Sequence, residues 1–261
     1  MTRAVPRAHI NSSPLVRFLT ENALIDAARV GAGDDVGQQL GDWLNFRQAI
    51  ALHGVLNPDA QPEPTPAHLR RTAVMTSAAL ARHVDKVRAQ LVQSIEQGAP
   101  PGSGLARIEM PPAELDEPLE PKTAFEPYRR FYAAHQRQME NTLQTLRSQV
   151  RGQLNKSAGN LQQLAALDAA FESILSEREA ALLAKVAKLH EKRFVQALKL
   201  HTKQQAEAMA AGEPATDVRP TAWLMPLRQA MRTALLAELD TRLQPTLGLL
   251  EAFNQENPQE Q

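Results

Sequence analysis

Cysteine is missing from the 261 residues. That removes disulfides, thiolate zinc sites, iron–sulfur clusters and a cysteine nucleophile together. It also agrees with a reducing compartment. Aromatic residues are only 4% of the chain, too few for a large β-sandwich built on Tyr, Trp and branched side chains. No apolar run approaches the roughly 18 residues of a membrane-spanning helix, and no leader-like run follows the first residues. Charge of one sign is absent overall, because 29 Lys and Arg balance 29 Asp and Glu. A generally cationic nucleic-acid binder is thereby disfavoured. The expectation is a cytoplasmic protein with no membrane span.

Proline is plentiful instead, and it punctuates the chain. It clusters in residues 58–66, 99–121 and 213–220. The segments between these clusters repeat apolar residues at threes and fours, the spacing of amphipathic helices. Ser13-Pro14 reads as a cap followed by a first-position proline, and Leu15, Phe18, Leu19 and Ile25 share a face up to Gly31 and Gly33. A second helix is expected from Asp34-Asp35 through Trp43, Phe46 and Ile50, giving an N-terminal helical hairpin over residues 1–57. A Pro-rich linker (58–66) and a long helix (67–98) follow. Residues 99–126 read as an acidic, mobile or partner-bound loop, with a faint strand signal at Leu105 to Met110.

Residues 127–211 carry a long helical pattern that starts near Pro127 and is interrupted near 157–160 by Ser157-Ala158-Gly159-Asn160. A hairpin there is favoured over one straight helix. After a linker at 212–220, helices are expected over 221–254, one to about Arg242 and a short one from Thr246. A polar tail at 255–261 ends the chain. The expected fold is all-α: an elongated up-and-down bundle of long amphipathic helices with an N-terminal helical hairpin.

Chemistry-bearing patterns are scarce. No two of the seven His sit at the i, i+4 spacing of a helical metal site. Pro101-Gly102-Ser103-Gly104 lacks the preceding strand of a nucleophile elbow. No glycine loop of the phosphate-binding kind occurs. The expectation is therefore no catalytic residue, no metal and no cofactor. An enzyme would need His135 or His190 beside a buried carboxylate in a cleft.

Two surfaces stand out. Trp43, Phe46 and Ile50 make a dense apolar face that either packs in the hairpin core or docks a partner. Arg178, Lys185, Lys188, Lys192, Lys199 and Lys203 fall within an arc of about 80° on a helical wheel. Such a stripe suits phosphates in principle. It equally suits the solvated flank of a helix seam, and no aromatic residue lies within it for bases to stack on.

Ser13-Pro14-Leu15-Val16-Arg17-Phe18-Leu19, Trp43-Leu44-Asn45-Phe46, Ala49-Ile50-Ala51-Leu52 and Val55-Leu56-Asn57 carry a further signal. Over residues 12–57 they resemble the N-terminal signature of an uncharacterised proteobacterial family, a domain of unknown function. Pro14 departs from its pattern, as does Phe46, where a second Trp is expected. The resemblance implies a bacterial, non-enzymatic protein whose relatives neighbour envelope proteins. The functional expectation is a structural or adaptor protein acting through helix-mediated protein contacts, with homo-oligomers allowed. The alternative is nucleic-acid binding by the basic face of residues 127–203.

Overall fold

The computed structural model describes residues 13–25, 41–57, 75–113, 120–157, 159–211 and 221–257. Among them every regular element is a helix: α1 (Pro14–Glu21), α2 (Phe46–Leu56), α3 (Ser77–Gln97), α4 (Pro121–Leu154), α5 (Gly159–Ala210), a 3₁₀ turn (Ala222–Leu224) and α6 (Met225–Glu256). The fold class is all-α, and no strand forms at 105–110.

Two compact units are built from these helices. One draws on Met1–Val30, Leu91–Met139 and Leu182–Leu239; the other on Gly31–Gln90, Glu140–Ala181 and Asp240–Gln261. In each unit, contacts show sequential helices running antiparallel. In the first, Gln138 Nε2 donates to Ser94 Oγ and Arg129 pairs with Glu191. In the second, His83 meets Gln149, Arg147 meets Asp168, Arg242 meets Glu179, and Arg88 closes α3 onto α6 at Asp240. In each unit the segments of α3, α4, α5 and α6 thus form an up-and-down arrangement, with α1 added to the first and α2 to the second.

The first unit holds most of the aromatic core. Phe125, Tyr128 and Phe194 are fully buried, with ring centroids 5.4 to 6.3 Å apart. The second is aliphatic, with Val84, Leu146, Val150, Leu154 and Leu243 buried, and Phe253 as its large ring.

Several boundaries differ from the sequence expectation. Helix α1 ends at Glu21 and not near Gly31. Asn22 Nδ2 bonds Phe18 O, and the Ala23 and Leu24 amides donate to Thr20 O and Leu19 O. That is a Schellman closure, with Ala23 in the left-handed region at φ 52° where glycine is usual. Helix α2 begins at Phe46 because Asn45 and Gln48 form a reciprocal capping box. The chain breaks at Leu44-Asn45, so Trp43 does not share a helix with Phe46 and Ile50. The expected start of that helix at Asp34-Asp35 lies outside the described residues. So do the 58–66 linker, the 67–74 stretch, the 212–220 linker and the end of the tail.

Proline proved a weaker breaker than expected. Helix α4 starts at Pro121, and Pro127 lies inside it; Pro245 lies inside α6, which runs unbroken to Glu256. An interior proline costs about 3 kcal/mol. Around each one the helix buries side chains of similar or greater total worth: Phe125, Tyr128, Phe131 and Tyr132 near Pro127, and Leu243, Leu249 and Phe253 near Pro245. Residues 99–113 are tied down. Tyr128 Oη donates to Pro112 O at 2.9 Å, and an Arg228 Nη1 hydrogen donates to Pro111 O. Burial raises the Tyr128 phenol's pKa, against the opposing pull of Arg228. The chain leaves α4 at 155–157, where Asn155 and Ser157 carbonyls accept from Gln162 Nε2 of α5.

Candidate functional site

Helix α2 lies along α5 in the second unit. Trp43 O accepts from Arg178, Gln48 Nε2 donates to Ser173 O, and Val55 O accepts from Gln163. Position numbers rise on α2 as they fall on α5, so the two run antiparallel. Leu44, Gln48, Leu52 and Val55 are its half-buried side, and no residue of α2 is buried. The opposite side is bare. Phe46 is 83% exposed and Ile50 57%. The two sit about 40° apart on the wheel at about 100° per residue. Leu56, 54% exposed, lies on the flank. The expected core role in an N-terminal hairpin is not what these side chains do. Both sides of α2 are apolar, and only one touches the bundle.

Two of the residues singled out in the sequence meet here. The Arg178 guanidinium stands 4.9 Å from the Trp43 ring centroid, a cation–π distance. Arg178 therefore serves the α2 attachment.

The rest of the stripe, Lys185, Lys188, Lys192, Lys199 and Lys203, belongs to the first unit and is exposed throughout. Lys203 pairs with Glu207 at 3.7 Å; the other four make no ion pair among the described residues.

Most arginines of residues 129–151 are neutralised within the fold. Arg129 and Arg130 reach Glu126. Arg147 grips Asp168 through two bonds, Nε at 2.8 Å and Nη2 at 2.6 Å. Arg151 bridges Asp168 at 3.0 Å and Glu172 at 2.6 Å. The basic face expected over residues 127–203 is therefore largely paired within the fold in this stretch. The signal was present: an i, i+4 arginine pair before the chain reversal and an i, i+4 acidic pair after it. Beside this network runs a groove of about 360 Å³, lined by Glu140, Arg147, Phe171, Glu172, Glu179 and Arg242 among others. Two pairs of its charges meet, Arg147 with Glu172 at 3.8 Å and Arg242 with Glu179 at 3.2 Å.

The two buried histidines occupy the first unit. His135 packs edge-on against Phe131, with centroids 4.6 Å apart. His190 sits 5.1 Å from the Tyr132 ring and 6.1 Å from Phe18. Neither His190 nitrogen nor His135 Nε2 finds a hydrogen-bond partner among the described residues. Burial lowers both pKa values to about 4, helped at His190 by the Arg193 charge. Both rings are neutral packing groups at pH 7. The buried carboxylate of Glu238 accepts from Gln136 Nε2 at 2.9 Å, not from either histidine. Among the described residues no three His, Asp or Glu side chains gather in a metal-binding group, and no helix is long and apolar enough to cross a membrane.

A family model described as "Protein of unknown function (DUF3348)" matches residues 1–255. The chain belongs to the DUF3348 family. The match extends well beyond the 12–57 segment that carries the sequence resemblance. No curated protein and no solved structure matches the chain. Family membership therefore fixes kinship across nearly the whole chain and brings no assigned residue with it.

Proposed function

We propose that this DUF3348 member is a non-enzymatic adaptor that binds protein partners through the outward face of α2. The observation that carries this is the 83% exposure of Phe46, beside Ile50, on a helix that is apolar on both sides. A helix of that kind ordinarily has both sides covered. As part of the same proposal, the protein works in the bacterial cytoplasm, next to an envelope-associated complex. The lack of cysteine and the resemblance of residues 12–57 support that setting. The test is capture of cross-linked partners from a bacterial lysate with wild type and with a Phe46→Glu/Ile50→Glu double variant. The expected result is a defined partner lost in the variant. Identical capture by both sinks the proposal.

A second reading has its own observation. Lys185, Lys188, Lys192 and Lys199 present four exposed charges on α5 without ion-pair partners among the described residues. This supports polyanion binding, with nucleic acid as the ligand. Binding would then weaken steeply with salt. A Lys185→Glu/Lys188→Glu/Lys192→Glu variant would lose retardation of DNA or RNA at low salt. No retardation of wild type at low salt disposes of this reading.

A further inference from the structure

A small pocket lies wholly within the first unit. Its volume is about 260 Å³, and its walls are the end of α3, the stretch 107–110, Phe131 of α4 and Arg232 of α6. Sites for drug-sized ligands begin at roughly 300 Å³, so this one suits a molecule of few heavy atoms. Ile108, Met110 and Phe131 give it an apolar side.

Arg232 sets this pocket apart. Seven arginines among the described residues are half-buried. Six of them hold an acceptor: Arg129, Arg147, Arg151 and Arg242 a carboxylate, Arg228 the Pro111 carbonyl and Arg193 the Asn22 amide oxygen. Arg232 holds none among the described residues, and its Nε is closed off from solvent. A guanidinium drawn partly out of water ordinarily engages a carboxylate or carbonyl. Two arginines and two glutamates line the pocket, so its formal charge is zero. Arg107 and Glu109 pair at 2.6 Å. Arg232 and Glu96 have no ion-pair partner among the described residues and do not pair with each other. The end of α3 adds acceptors. The carbonyls of Glu96 and Gln97 have no helix donor, because the residues four positions on are Pro100 and Pro101.

We infer that this pocket binds a small zwitterion of the α-amino-acid class. A simple anion meets Glu96 and the negative end of α3, and a simple cation meets Arg232. A zwitterion meets both with matching sign, across the gap that Arg232 and Glu96 leave between them. Its carboxylate takes the Arg232 fork, and its ammonium takes Glu96 and the α3 carbonyls. A hydrocarbon side chain lies against Ile108 and Phe131. Neither α2 nor the lysines of α5 line the pocket, so this site stands or falls apart from the docking and polyanion readings.

The test adds the common L-amino acids one at a time to the full-length protein, up to about 10 mM, and reads binding by titration calorimetry and thermal shift. Propionate and propylamine supply the two halves of the ligand separately. The expected result is binding of an amino acid with an apolar side chain, with Tm raised by roughly 3–5 °C at about ten times its Kd. Each half alone binds at least about tenfold more weakly. Arg232→Gln abolishes the shift, and Arg232→Lys, which keeps the charge but loses the fork, weakens binding about tenfold. Glu96 is exposed, so Glu96→Gln leaves the fold intact; it weakens the amino acid about tenfold and leaves propionate unchanged. No binding of any amino acid at the highest concentration overturns the inference. So does full binding by a folded Arg232→Gln variant. Propionate that binds as tightly as the best amino acid makes this a plain anion site and overturns it too. If Arg232→Gln loses its helical circular dichroism, Glu96→Gln decides: unchanged amino-acid affinity in that variant overturns the inference.

Discussion

Asp168 holds two arginines at once, and its removal tests whether that network stabilises the α4–α5 hairpin. Arg147, Arg151, Asp168 and Glu172 have side chains only 11% to 22% exposed. Breaking a fully buried pair costs about 3–5 kcal/mol. An exposed pair is worth about 0–1 kcal/mol. Asp168→Ala deletes three of the short bonds and leaves two guanidiniums to share Glu172, whose nearer oxygen is 3.8 Å from Arg147. At this depth the expected loss is about 2–3 kcal/mol, between those limits. For a chain of this size that lowers Tm by roughly 5–10 °C. Urea denaturation and a thermal scan read it. Asp168→Asn, which keeps the volume, should lose nearly as much, separating charge from cavity. A double-mutant cycle with Arg147→Ala should return a coupling above about 1 kcal/mol. A loss under ~0.5 kcal/mol, or strict additivity, refutes the reasoning.

Other expectations follow from single side chains. His135 and His190 titrate near 4 in the fold and near 6.5 when unfolded, so the unfolded chain takes up protons first. Stability is therefore full above pH 6.5 and falls as pH drops toward 4, by an amount on the order of 3 kcal/mol per ring; equal urea midpoints at pH 7.5 and pH 5 contradict this. His190→Leu replaces two unpartnered nitrogens by hydrocarbon, so stability at pH 7 should change by less than about 1 kcal/mol while the acid sensitivity is roughly halved. Ala23→Gly relieves the left-handed backbone at φ 52° and should stabilise α1 by roughly 0.5–1 kcal/mol, read as slower amide exchange in residues 15–22. Tyr128→Phe removes the donor to Pro112 O, and faster proteolysis within 99–113 is the expected sign; unchanged cleavage shows that the loop is held by other contacts.

The all-α class was legible because apolar periodicity is set residue by residue within a helix, and Leu146, Val150 and Leu154 sit where that pattern puts them. What escaped was decided elsewhere in the fold. Pro127 and Pro245 look like stops when read locally; burial of their neighbours overrides them. Ala23 carries a turn that a search for glycine passes over. The pairing of Arg147 and Arg151 with Asp168 and Glu172 depends on where the chain reverses, which the residues of either helix do not show by themselves. Phe46 was legible as apolar but not as bare, because exposure belongs to the assembled surface and not to the residue. The lysines of α5 were placed on one face by spacing alone, yet spacing says nothing of how Arg178 is diverted to Trp43.

The antiparallel order also has a kinetic side. Arg147 and Asp168 are 21 residues apart, whereas Ser77 meets Asn257 across 180. Loop closure grows as about (3/2)RT ln n, so joining α3 to α6 costs roughly 2 kcal/mol more chain entropy than closing the α4–α5 hairpin. Chain entropy thus favours the hairpin, with its ionic clasp, as the earlier contact and the meeting of α3 with α6 as the later one. A substitution in the clasp should then slow refolding, while one at Ser77 or Asn257 should mainly quicken unfolding.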